Sequence, residues 1–412
     1  MTDAPARLGR LPRPGDFAPP PDDRRRAAWR DADRAARPAR LGRLRERLAA
    51  EGLDAYFGSR SEHVRYLTGF TLGDNEEKVA GDSGRFIVTA DEVLLFADSR
   101  YAVQARREAP DARIVDVYQA LATRWPEILA EVGARRVGVE AAAITHALWT
   151  KLAAAAPDVE LVPVDGWLEA DRARKEPAEL ERIVAAAAIA DRSLAALLPE
   201  IRPGRTEREI ALRLEWEMRT GGADGLAFDV ACLSGPEAAL PHGSPGDRPI
   251  AAGSVLLFDF GAQVEGYRSD MTRTLFVGEP TDRDLGIYEL VHRAQTAALE
   301  GIEALVAAGT PLVDGRRLDA LAREVIEAGG HGERFGHSLG HGIGLATHEA
   351  PSLSRSAPDG PLPDPTVFSV EPGVYLDGEM GVRIEDLLAV DVAARRSERI
   401  TRFPRGIVVV GG

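Results

Sequence analysis

The sequence predicts a two-domain protein of the α/β (α+β) class, and three observations support this prediction. The chain has 412 residues, which is more than a single domain usually holds. Over residues 40–165, short apolar segments alternate with helical stretches, as in an α/β domain. Beyond residue 175, long helices flank apolar strands that carry paired acidic residues. We therefore expect an N-terminal domain over residues 26–168 and a C-terminal domain over residues 169–412.

Helices and strands can be placed along both domains. A helix is predicted from Asp22 to about Glu51, because leucines recur there at helical spacing. Thr206, with Glu209 three residues later, predicts a capping box at the start of another helix. Strands are predicted at residues 55–57, 86–88, 93–96 and 137–139, and further helices at 99–108, 145–155, 177–198, 206–219, 282–308 and 314–328.

The first 25 residues differ from the rest of the chain because they are rich in Pro, Arg and Gly. Such a composition does not bury enough apolar surface to fold alone. We expect residues 1–25 to form a disordered or extended tail. A docking arm across an oligomer interface is the alternative.

Composition limits the partners and the location of the protein. A net charge of −14 argues against nucleic acid or an anionic membrane as the main partner. The single cysteine, Cys232, cannot form an intrachain disulfide, which fits a reducing compartment, and its apolar surroundings predict a buried thiol. Neither a long apolar run nor a secretory leader is evident. We therefore expect a cytoplasmic protein with no membrane partner.

A first pair of acidic residues belongs to a predicted β-hairpin. Residues 255–260 and 272–277 are apolar strand segments. If the turn lies at residues 264–265, Asp259 stands directly opposite Asp270. Opposed residues in an antiparallel pair share one face of the sheet, with Cβ atoms about 4.5–5.5 Å apart.

A second predicted hairpin repeats this construction. Residues 368–371 and 382–385 flank an Asp-Gly dipeptide, which is a strong turn signal. A hairpin centred on Gly378 places Glu371 opposite Glu385. Like charges facing each other in apolar strands destabilise a sheet unless a cation neutralises them. The alternative, acids that face solvent at a sheet edge, suits one isolated pair better than two symmetric pairs.

A glycine-rich loop containing histidines lies between the two hairpins. His331, His337, His341 and His348 fall within 18 residues, and the glycines at residues 336–344 indicate close backbone approach. One imidazole and four carboxylates make a five-ligand set that serves two divalent ions. A set this rich in oxygen predicts Mn²⁺, with Co²⁺ or Zn²⁺ as alternatives.

Together these motifs resemble the pita-bread metallopeptidases, a family that includes methionine aminopeptidase, prolidase and Xaa-Pro aminopeptidase. The resemblance covers about residues 170–400 and rests on the order of Asp259, Asp270, His341, Glu371 and Glu385. The surrounding phrases also match, among them Asp-Phe-Gly, Ser-Asp-Met-Thr-Arg-Thr, Gly-His-Gly-Ile-Gly-Leu, His-Glu-Ala-Pro, Val-Glu-Pro-Gly-Val-Tyr and Val-Arg-Ile-Glu-Asp.

The N-terminal half is similar to the creatinase-like domain of the prolyl branch of this family, through the phrase His63–Phe70. Methionine aminopeptidases lack such a domain, and they usually lack a histidine at the position of His337. The resemblance therefore favours the Xaa-Pro branch. Creatinase shares the fold without metal, whereas all five ligand positions are intact here. The acidic segment 73–78 and the tail depart from the family pattern, which leaves the choice of substrate open.

The resemblance implies a role for each metal ligand. Asp259 would bind one metal terminally, Asp270 and Glu385 would bridge both, and His341 and Glu371 would hold the other. Glu371 would also shuttle a proton.

Two further histidines are expected to act in catalysis by resemblance. His242 would contact the substrate, and His348 would stabilise the tetrahedral intermediate. A structural histidine in the turn after Pro241 is the alternative for His242.

Three residues are expected at the substrate-binding side of the site by resemblance, namely His337, Arg383 and Tyr375. Alternatives exist for two of them. Arg383 would instead form a surface ion pair with Glu385 or Asp386, and Tyr375 would only pack.

The predicted activity is hydrolysis of the N-terminal Xaa-Pro bond of a small peptide, by an Xaa-Pro aminopeptidase that acts as a homodimer. A hydroxide bridging two cations is a good nucleophile at neutral pH, because the metals lower the pKa of water. Prolidase, which cleaves only dipeptides, is the alternative, since pocket length beyond the second residue distinguishes the two. A hydrolase of small non-peptide amides and a non-catalytic binding protein are further alternatives.

Overall fold

The computed structural model describes residues 5–73, 80–118 and 120–411, and these residues form two compact units. One unit comprises Ala27–Asp171, and the other joins the chain up to Arg26 with the chain from Arg172 onward. The acidic segment at residues 73–78 lies outside the described residues apart from its first glycine. No helix in the described residues has the length and apolar character that a membrane span requires.

The unit of residues 27–171 is built around one mixed β-sheet. Its strands are β1 Ala55–Gly58, β2 Phe86–Thr89, β3 Val93–Phe96, β4 Arg113–Val115, β5 Arg136–Glu140 and β6 Glu160–Val164, in the order β4-β3-β2-β1-β5-β6. Helices in this half of the chain are α1 Asp23–Glu51, α2 Ser61–Thr68, α3 Ala102–Glu108, α4 Leu121–Glu131, α5 His146–Ala155 and α6 Trp167–Ala173. The four predicted strands are confirmed as β1, β2, β3 and β5. The edge strands β4 and β6 were not predicted, because they are partly exposed and mix polar with apolar residues.

The phrase His63–Phe70 forms α2 and its C-terminal cap. His63 Nδ1 is hydrogen-bonded to Glu140 at the end of β5, so the helix is fixed to the sheet by a buried polar pair. Gly69 ends α2 with φ of 86°, a left-handed conformation that favours glycine. A side chain at Gly69 would also collide with the guanidinium of Arg37.

The larger unit contains two main sheets, one small sheet and one separate hairpin. Its strands are β7 Gly225–Leu226, β8 Ala231–Ser234, β9 Ser254–Phe260, β10 Ala262–Val264, β11 Tyr267–Arg268, β12 Met271–Val277, β13 Gly340–Gly342, β14 Glu349–Leu353, β15 Thr366–Val370, β16 Gly373–Leu376, β17 Met380–Arg383, β18 Asp386–Asp391, β19 Arg396–Arg399 and β20 Val409–Val410. The sheet orders are β20-β12-β9-β8, β14-β13-β15-β18-β19, β11-β10-β7 and β16-β17.

Four helices cover these sheets, namely α7 Pro177–Leu197, α8 Glu207–Thr220, α9 Asp282–Ala308 and α10 Gly315–Ala328. All four were predicted, with bounds within one residue of those observed. The buried faces of α9 and α10 pack against strands of both main sheets, and together they form one apolar core that includes Val291, Ala322, Leu257 and Phe368. This shared core holds the two main sheets in a fixed arrangement.

The first hairpin differs from its predicted register by two residues. Asp259 pairs with Thr272, so the predicted opposition of Asp259 and Asp270 is wrong. The turn lies one residue later than predicted, at Glu265 and Gly266, whose φ angles are 48° and 79°. Two successive residues at positive φ are the geometry of a tight hairpin turn. Because side chains alternate with a period of two, the shift leaves Asp270 on the face that carries Asp259.

The second hairpin has its predicted register. Val370 pairs with Asp386 in the β15–β18 ladder, and the β16–β17 ladder continues the same register around the turn at Gly378. Glu371 and Glu385 therefore face each other in the gap between the two ladders. This confirms the predicted opposition of the two glutamates.

The segment before α1, predicted to be disordered or extended, makes defined contacts within its own unit. The backbone N–H of Leu8 donates to Ile407 O at 3.0 Å. A 3-10 turn at Pro14–Asp16 follows, and Arg192 Nη1 donates to Pro14 O at 2.9 Å. These contacts tie the segment to the end of the chain and to α7.

Removal of the predicted capping box should weaken the larger unit. Thr206 Oγ1 accepts a hydrogen bond from the Glu209 backbone N–H at 3.2 Å, and Glu209 accepts one from Thr206 N at 2.9 Å. We expect Thr206→Ala to lower the free energy of unfolding by about 1 kcal/mol, measured by urea unfolding followed by circular dichroism. Thr220→Ala, in the last turn of the same helix, is the matched control and should change it by less than about 0.5 kcal/mol. Equal losses at the two threonines would contradict the prediction.

Candidate metal centre

Hydrogen bonds between β12 and the end of β17 bring the two hairpins together. The Glu385 backbone N–H donates to Thr272 O at 3.1 Å, and the Arg383 N–H donates to Thr274 Oγ1 at 3.2 Å. Thr272 is the pairing partner of Asp259. The contact therefore places Glu385 beside the acidic residues of the first hairpin.

Strand β13 brings His341 to the same place. Its neighbour Gly340 lies so close to Ser369 that a Cβ atom would stand 1.9 Å from Ser369 O, which only glycine avoids. The His341 N–H donates to Ser369 Oγ at 3.0 Å, and the Glu371 N–H donates to Leu339 O at 2.8 Å. These contacts hold the histidine beside the segment that carries Glu371.

The side chains of these residues converge closely enough to share a cation. His341 Nε2 lies 3.3 Å from Glu371 Oε1 and 3.7 Å from Asp270 Oδ2. One ligand atom from each of Asp270, His341 and Glu385 falls within 4.8 Å of the others. Ligands that stand about 2.0–2.6 Å from one ion are at most about 4–5 Å apart, so this spacing fits a single cation.

Three carboxylate oxygens of the cluster are buried and have no hydrogen-bond donor among the described residues. They are Asp259 Oδ1, Asp270 Oδ1 and Glu385 Oε1. A buried charged oxygen without a partner is strongly unfavourable, and native structures contain few of them. A divalent cation would satisfy all three. The four carboxylates and one imidazole are therefore a suitable donor set for a pair of such ions.

The charge states of the cluster reflect burial and mutual repulsion. Burial raises the pKa of Asp259, Asp270 and Glu385 above the usual range of a carboxyl group. For Asp270 the next cause is the charge of Glu385, and for Glu385 it is the charge of Glu371. Each carboxylate thus makes it harder to ionise the next, and a bound cation would reverse this effect.

Glu371 and His341 stabilise each other in their charged forms. Burial opposes the charge on both, yet the hydrogen bond with His341 lowers the pKa of Glu371 to about 2, and the same bond raises the pKa of His341 to about 9. Ser369 Oγ also donates to Glu371 Oε1 at 2.9 Å. Since a histidine must be deprotonated to bind metal, a cation at His341 Nε2 would replace this proton.

Arg383 lies inside the site and not on the surface. It is 3% exposed, forms an ion pair with Asp259 and donates to Tyr375 OH at 2.9 Å. The alternative of a surface ion pair with Glu385 or Asp386 is therefore wrong. The buried guanidinium finds its countercharge across the site on Asp259 instead.

Tyr375 connects Arg383 to His337, so it does more than pack. Its hydroxyl is hydrogen-bonded to His337 Nε2 at 2.9 Å as well as to Arg383. Burial raises the pKa of Tyr375 to about 12 and lowers the pKa of His337. The phenol and the imidazole are thus both favoured in their neutral forms.

A cavity of about 320 Å³ contains all the predicted site residues except Tyr375. The ring of His348 on its wall stands 4.2 Å from the ring of His341, measured between centroids. Partial desolvation and the charge of His341 lower the pKa of His348, which remains exposed on one side. The residues that line the cavity are Phe228, Pro241, His242, Asp259, Asp270, His337, Ser338, Gly340, His341, Thr347, His348, Ser352, Glu371, Arg383 and Glu385.

Two hydroxyl groups that were not predicted from the sequence contact the carboxylates. Thr272 Oγ1 donates to Glu385 Oε2 at 2.8 Å, and Ser369 Oγ donates to Glu371. The two-residue period of a β-strand could have predicted both contacts. Thr272 lies two residues from Asp270 and Ser369 lies two residues from Glu371, so each hydroxyl is on the same face as a predicted ligand. Each hydroxyl fixes the orientation of one carboxylate.

Comparisons with known proteins agree with this geometry. A model described as Metallopeptidase family M24 matches residues 181–391, and one described as Creatinase/Prolidase N-terminal domain matches residues 40–174. The structure of an Xaa-Pro dipeptidase from Bacillus anthracis is similar with a TM-score of 0.81 and 34% identity, over 90% of this chain and 99% of that one. An X-Pro aminopeptidase from Thermotoga maritima has a TM-score of 0.78 and 35% identity, over 90% and 99%. An Xaa-Pro dipeptidase from Pyrococcus horikoshii is 31% identical over 374 residues, 90% of this chain and 98% of the relative.

These matches cover both halves of the chain and confirm the predicted fold class. The N-terminal unit has the creatinase-like fold and the C-terminal unit the pita-bread fold, and the predicted enzyme class, a hydrolase of peptides, is confirmed with them. The non-catalytic alternative is thereby set aside. The chain belongs to the metallopeptidase family M24.

Proposed function

We propose that this metallopeptidase is an Xaa-Pro dipeptidase, or prolidase, which hydrolyses the bond before a proline in the second position of a dipeptide. The observation that carries the proposal is the convergence of four carboxylates and one imidazole in a single cavity. The names of the relatives from B. anthracis and P. horikoshii support the dipeptidase over the aminopeptidase that the sequence alone favoured. Xaa-Pro aminopeptidase remains the second candidate, because the T. maritima relative bears that name at 35% identity.

We propose that two divalent ions, Mn²⁺ in the first place, complete the site. Their ligands would be Asp259, Asp270, His341, Glu371 and Glu385, with Asp270 and Glu385 shared between the ions. When bound, the ions lower the pKa of water and polarise the scissile carbonyl. The unpartnered oxygens of Asp259, Asp270 and Glu385 support this assignment, because they otherwise lack a donor among the described residues.

Side chains of the chain itself move the protons and stabilise the developing charge. Glu371 takes a proton from the attacking water and passes it to the proline nitrogen as the peptide bond breaks. His348, on the cavity wall, donates a hydrogen bond to the oxyanion, and His242, which also lines the cavity, contacts the substrate. The hydrogen bond between Ser369 and Glu371 keeps the carboxylate oriented for this transfer.

Arg383, Tyr375 and His337 form the polar wall that orients the dipeptide. Arg383 is the permanent cation of the lining, and its contacts with Asp259 and Tyr375 hold it in place before substrate arrives. A dipeptide brings a carboxylate within one residue of the scissile bond, so a fixed positive charge there favours it.

We also propose that the enzyme is a homodimer and acts in the cytoplasm. The dimer rests on the resemblance to the prolyl branch, and the location rests on the single buried cysteine, which fits a reducing compartment. Light scattering of the purified protein would measure the first directly, and a mass of one chain would contradict it.

Metal removal should abolish activity reversibly. A chelator is expected to stop the release of proline from Ala-Pro, and Mn²⁺ should restore it, because the ions supply the activated water. Ala-Pro-Ala is tested in parallel, since cleavage of the dipeptide alone supports the dipeptidase and cleavage of both supports the aminopeptidase. If neither peptide is cleaved with Mn²⁺ present, the proposal fails and a hydrolase of small non-peptide amides becomes the better explanation.

Loss of a shared ligand should weaken metal binding. Asp270→Asn and Glu385→Gln are each expected to reduce the affinity for Mn²⁺ at least about tenfold, because each removes a charge assigned to both ions. Isothermal titration calorimetry measures the affinity independently of activity. Asp247→Asn is the control, since that side chain is 82% exposed and pairs with Arg208. Mn²⁺ affinity that is unchanged in both ligand variants would rule out this assignment.

Removal of the Tyr375 hydroxyl should affect substrate binding in particular. Tyr375→Phe breaks the bonds to His337 and Arg383, so we expect KM for Ala-Pro to rise about fivefold through loss of orientation. Tyr288→Phe is the matched control, because its buried hydroxyl bonds to Arg405 O at 3.2 Å away from the cavity. Both variants should lose some stability, but only the first should change KM. A similar KM change in both would contradict the assigned role.

A further inference from the structure

A buried cluster of charged residues lies next to the cavity and takes no part in the chemistry described so far. Lys175 and Arg172 both form ion pairs with Glu349, and Lys175 Nζ also donates to Arg172 O at 2.6 Å. The three side chains are only 2% to 4% exposed. Two cations thus share one carboxylate in a place that water scarcely reaches.

A buried ion pair often contributes no more to stability than apolar residues of the same size, so stability alone does not account for this cluster. Burial opposes the ionised form of Glu349, yet the charges of Arg172 and Lys175 outweigh it and lower the pKa of this carboxyl group. Glu349 is therefore held in its charged form. What the cluster provides is a fixed position for Glu349.

The cations are themselves anchored to the backbone of the sheet. The Lys175 N–H donates to Pro365 O at 2.9 Å, and Thr366 Oγ1 at the start of β15 donates to Ala173 O at 2.8 Å. Strand β15 leads directly to Glu371. Glu349 is thus fixed relative to the strand that leads to a catalytic carboxylate.

His348 immediately precedes Glu349 and depends on its neighbours for its position. Among the described residues, no hydrogen bond reaches the His348 ring. The ring packs against the ring of His341, with 4.2 Å between the two centroids. On one side, Thr347 Oγ1 donates to Ala227 O at 3.0 Å. On the other side, Glu349 accepts from Lys175 and Arg172. The backbone at His348 is therefore held between two anchored residues.

We propose that Lys175 and Arg172, acting through Glu349, are positioning residues for His348. The inference rests on the proposed function, in which His348 stabilises the oxyanion. If Glu349 loses its charge, the backbone at residue 348 gains freedom, and the imidazole no longer meets the developing charge at the required distance. The metal ligands keep their own contacts.

The test is a double-mutant cycle on hydrolysis of Ala-Pro by the Mn²⁺-loaded enzyme. Glu349→Gln keeps the shape of the side chain and removes its charge, and we expect kcat to fall about thirtyfold with little change in KM, since small displacements of a catalytic group are costly. In a His348→Ala background the same change should lower kcat by no more than about twofold, because the residue through which it acts is gone. Wild-type kcat in Glu349→Gln, or an equal fall in both backgrounds, would overturn the proposal.

A matched control separates positioning from general loss of stability. Asp33→Asn removes the charge from another buried ion pair, that of Asp33 with Arg40 at 3.1 Å in the N-terminal unit. It should lower the melting temperature while kcat stays at the wild-type value. If Glu349→Gln does not fold, Lys175→Gln replaces it in the double-mutant cycle, because this variant leaves the Arg172–Glu349 pair in place. The results that support or overturn the proposal are the same as for Glu349→Gln.

A measurement that needs neither activity nor metal distinguishes failure of this inference from failure of the proposed function. The imidazole resonances of His348, assigned by their loss in His348→Ala, are sensitive to the facing His341 ring. We expect them to shift in Glu349→Gln and to remain unchanged in Asp33→Asn, as recorded by NMR on metal-free protein. Unshifted resonances would refute the positioning role even if Ala-Pro is cleaved. Shifted resonances in a protein that does not cleave Ala-Pro would support the role and refute the dipeptidase.

Discussion

Mutual repulsion among the carboxylates that line one cavity is the interaction that the surrounding structure has to withstand. Asp259, Asp270, Glu371 and Glu385 would separate if their backbone segments were free, because like charges repel and a buried carboxylate oxygen without a partner is costly. Strand pairing on both sides of each segment prevents this. The scaffold thereby keeps the carboxylates together, and any cation that binds them stabilises the folded chain by mass action.

The pairing is reinforced from behind the cavity by a second buried network. Arg273 on β12 pairs with Asp386 at 2.7 Å and donates to Thr272 O at 2.8 Å as well as to Glu385 O. Gln295 from α9 donates to the other oxygen of Asp386 at 3.0 Å. Hydrogen bonds directly beneath Glu385 thus join α9 to a strand of each main sheet and to the residue before β18. This explains how Glu385 stays next to the other acids without a partner for its own Oε1.

Much of the fold and the site could be predicted because the signals are local. The Asp-Gly turn at Gly378 allowed the register of the second hairpin to be predicted correctly. The turn of the first hairpin contains Glu265 at positive φ, a conformation that glutamate rarely adopts, so the sequence gives no signal for it. Arg383 shows a different limit, because charged residues are usually exposed and its countercharge, Asp259, is distant in sequence. The Lys175–Glu349 contact was missed for the same reason. Ion pairs between segments that are distant in sequence depend on tertiary packing, which a local sequence pattern does not predict.

The contact between Leu8 and Ile407 has a consequence for synthesis on the ribosome. The larger unit is assembled from both ends of the chain, and the whole smaller unit is made in between. At about 5–20 residues per second, the partner of Leu8 emerges tens of seconds after Leu8 itself. During this delay the backbone around Leu8 has no native hydrogen-bond partner. The first residues of the chain contain prolines, which disfavour strand pairing, and arginines, which keep a segment hydrated. Both properties protect a nascent segment from aggregation until its partner has been synthesised.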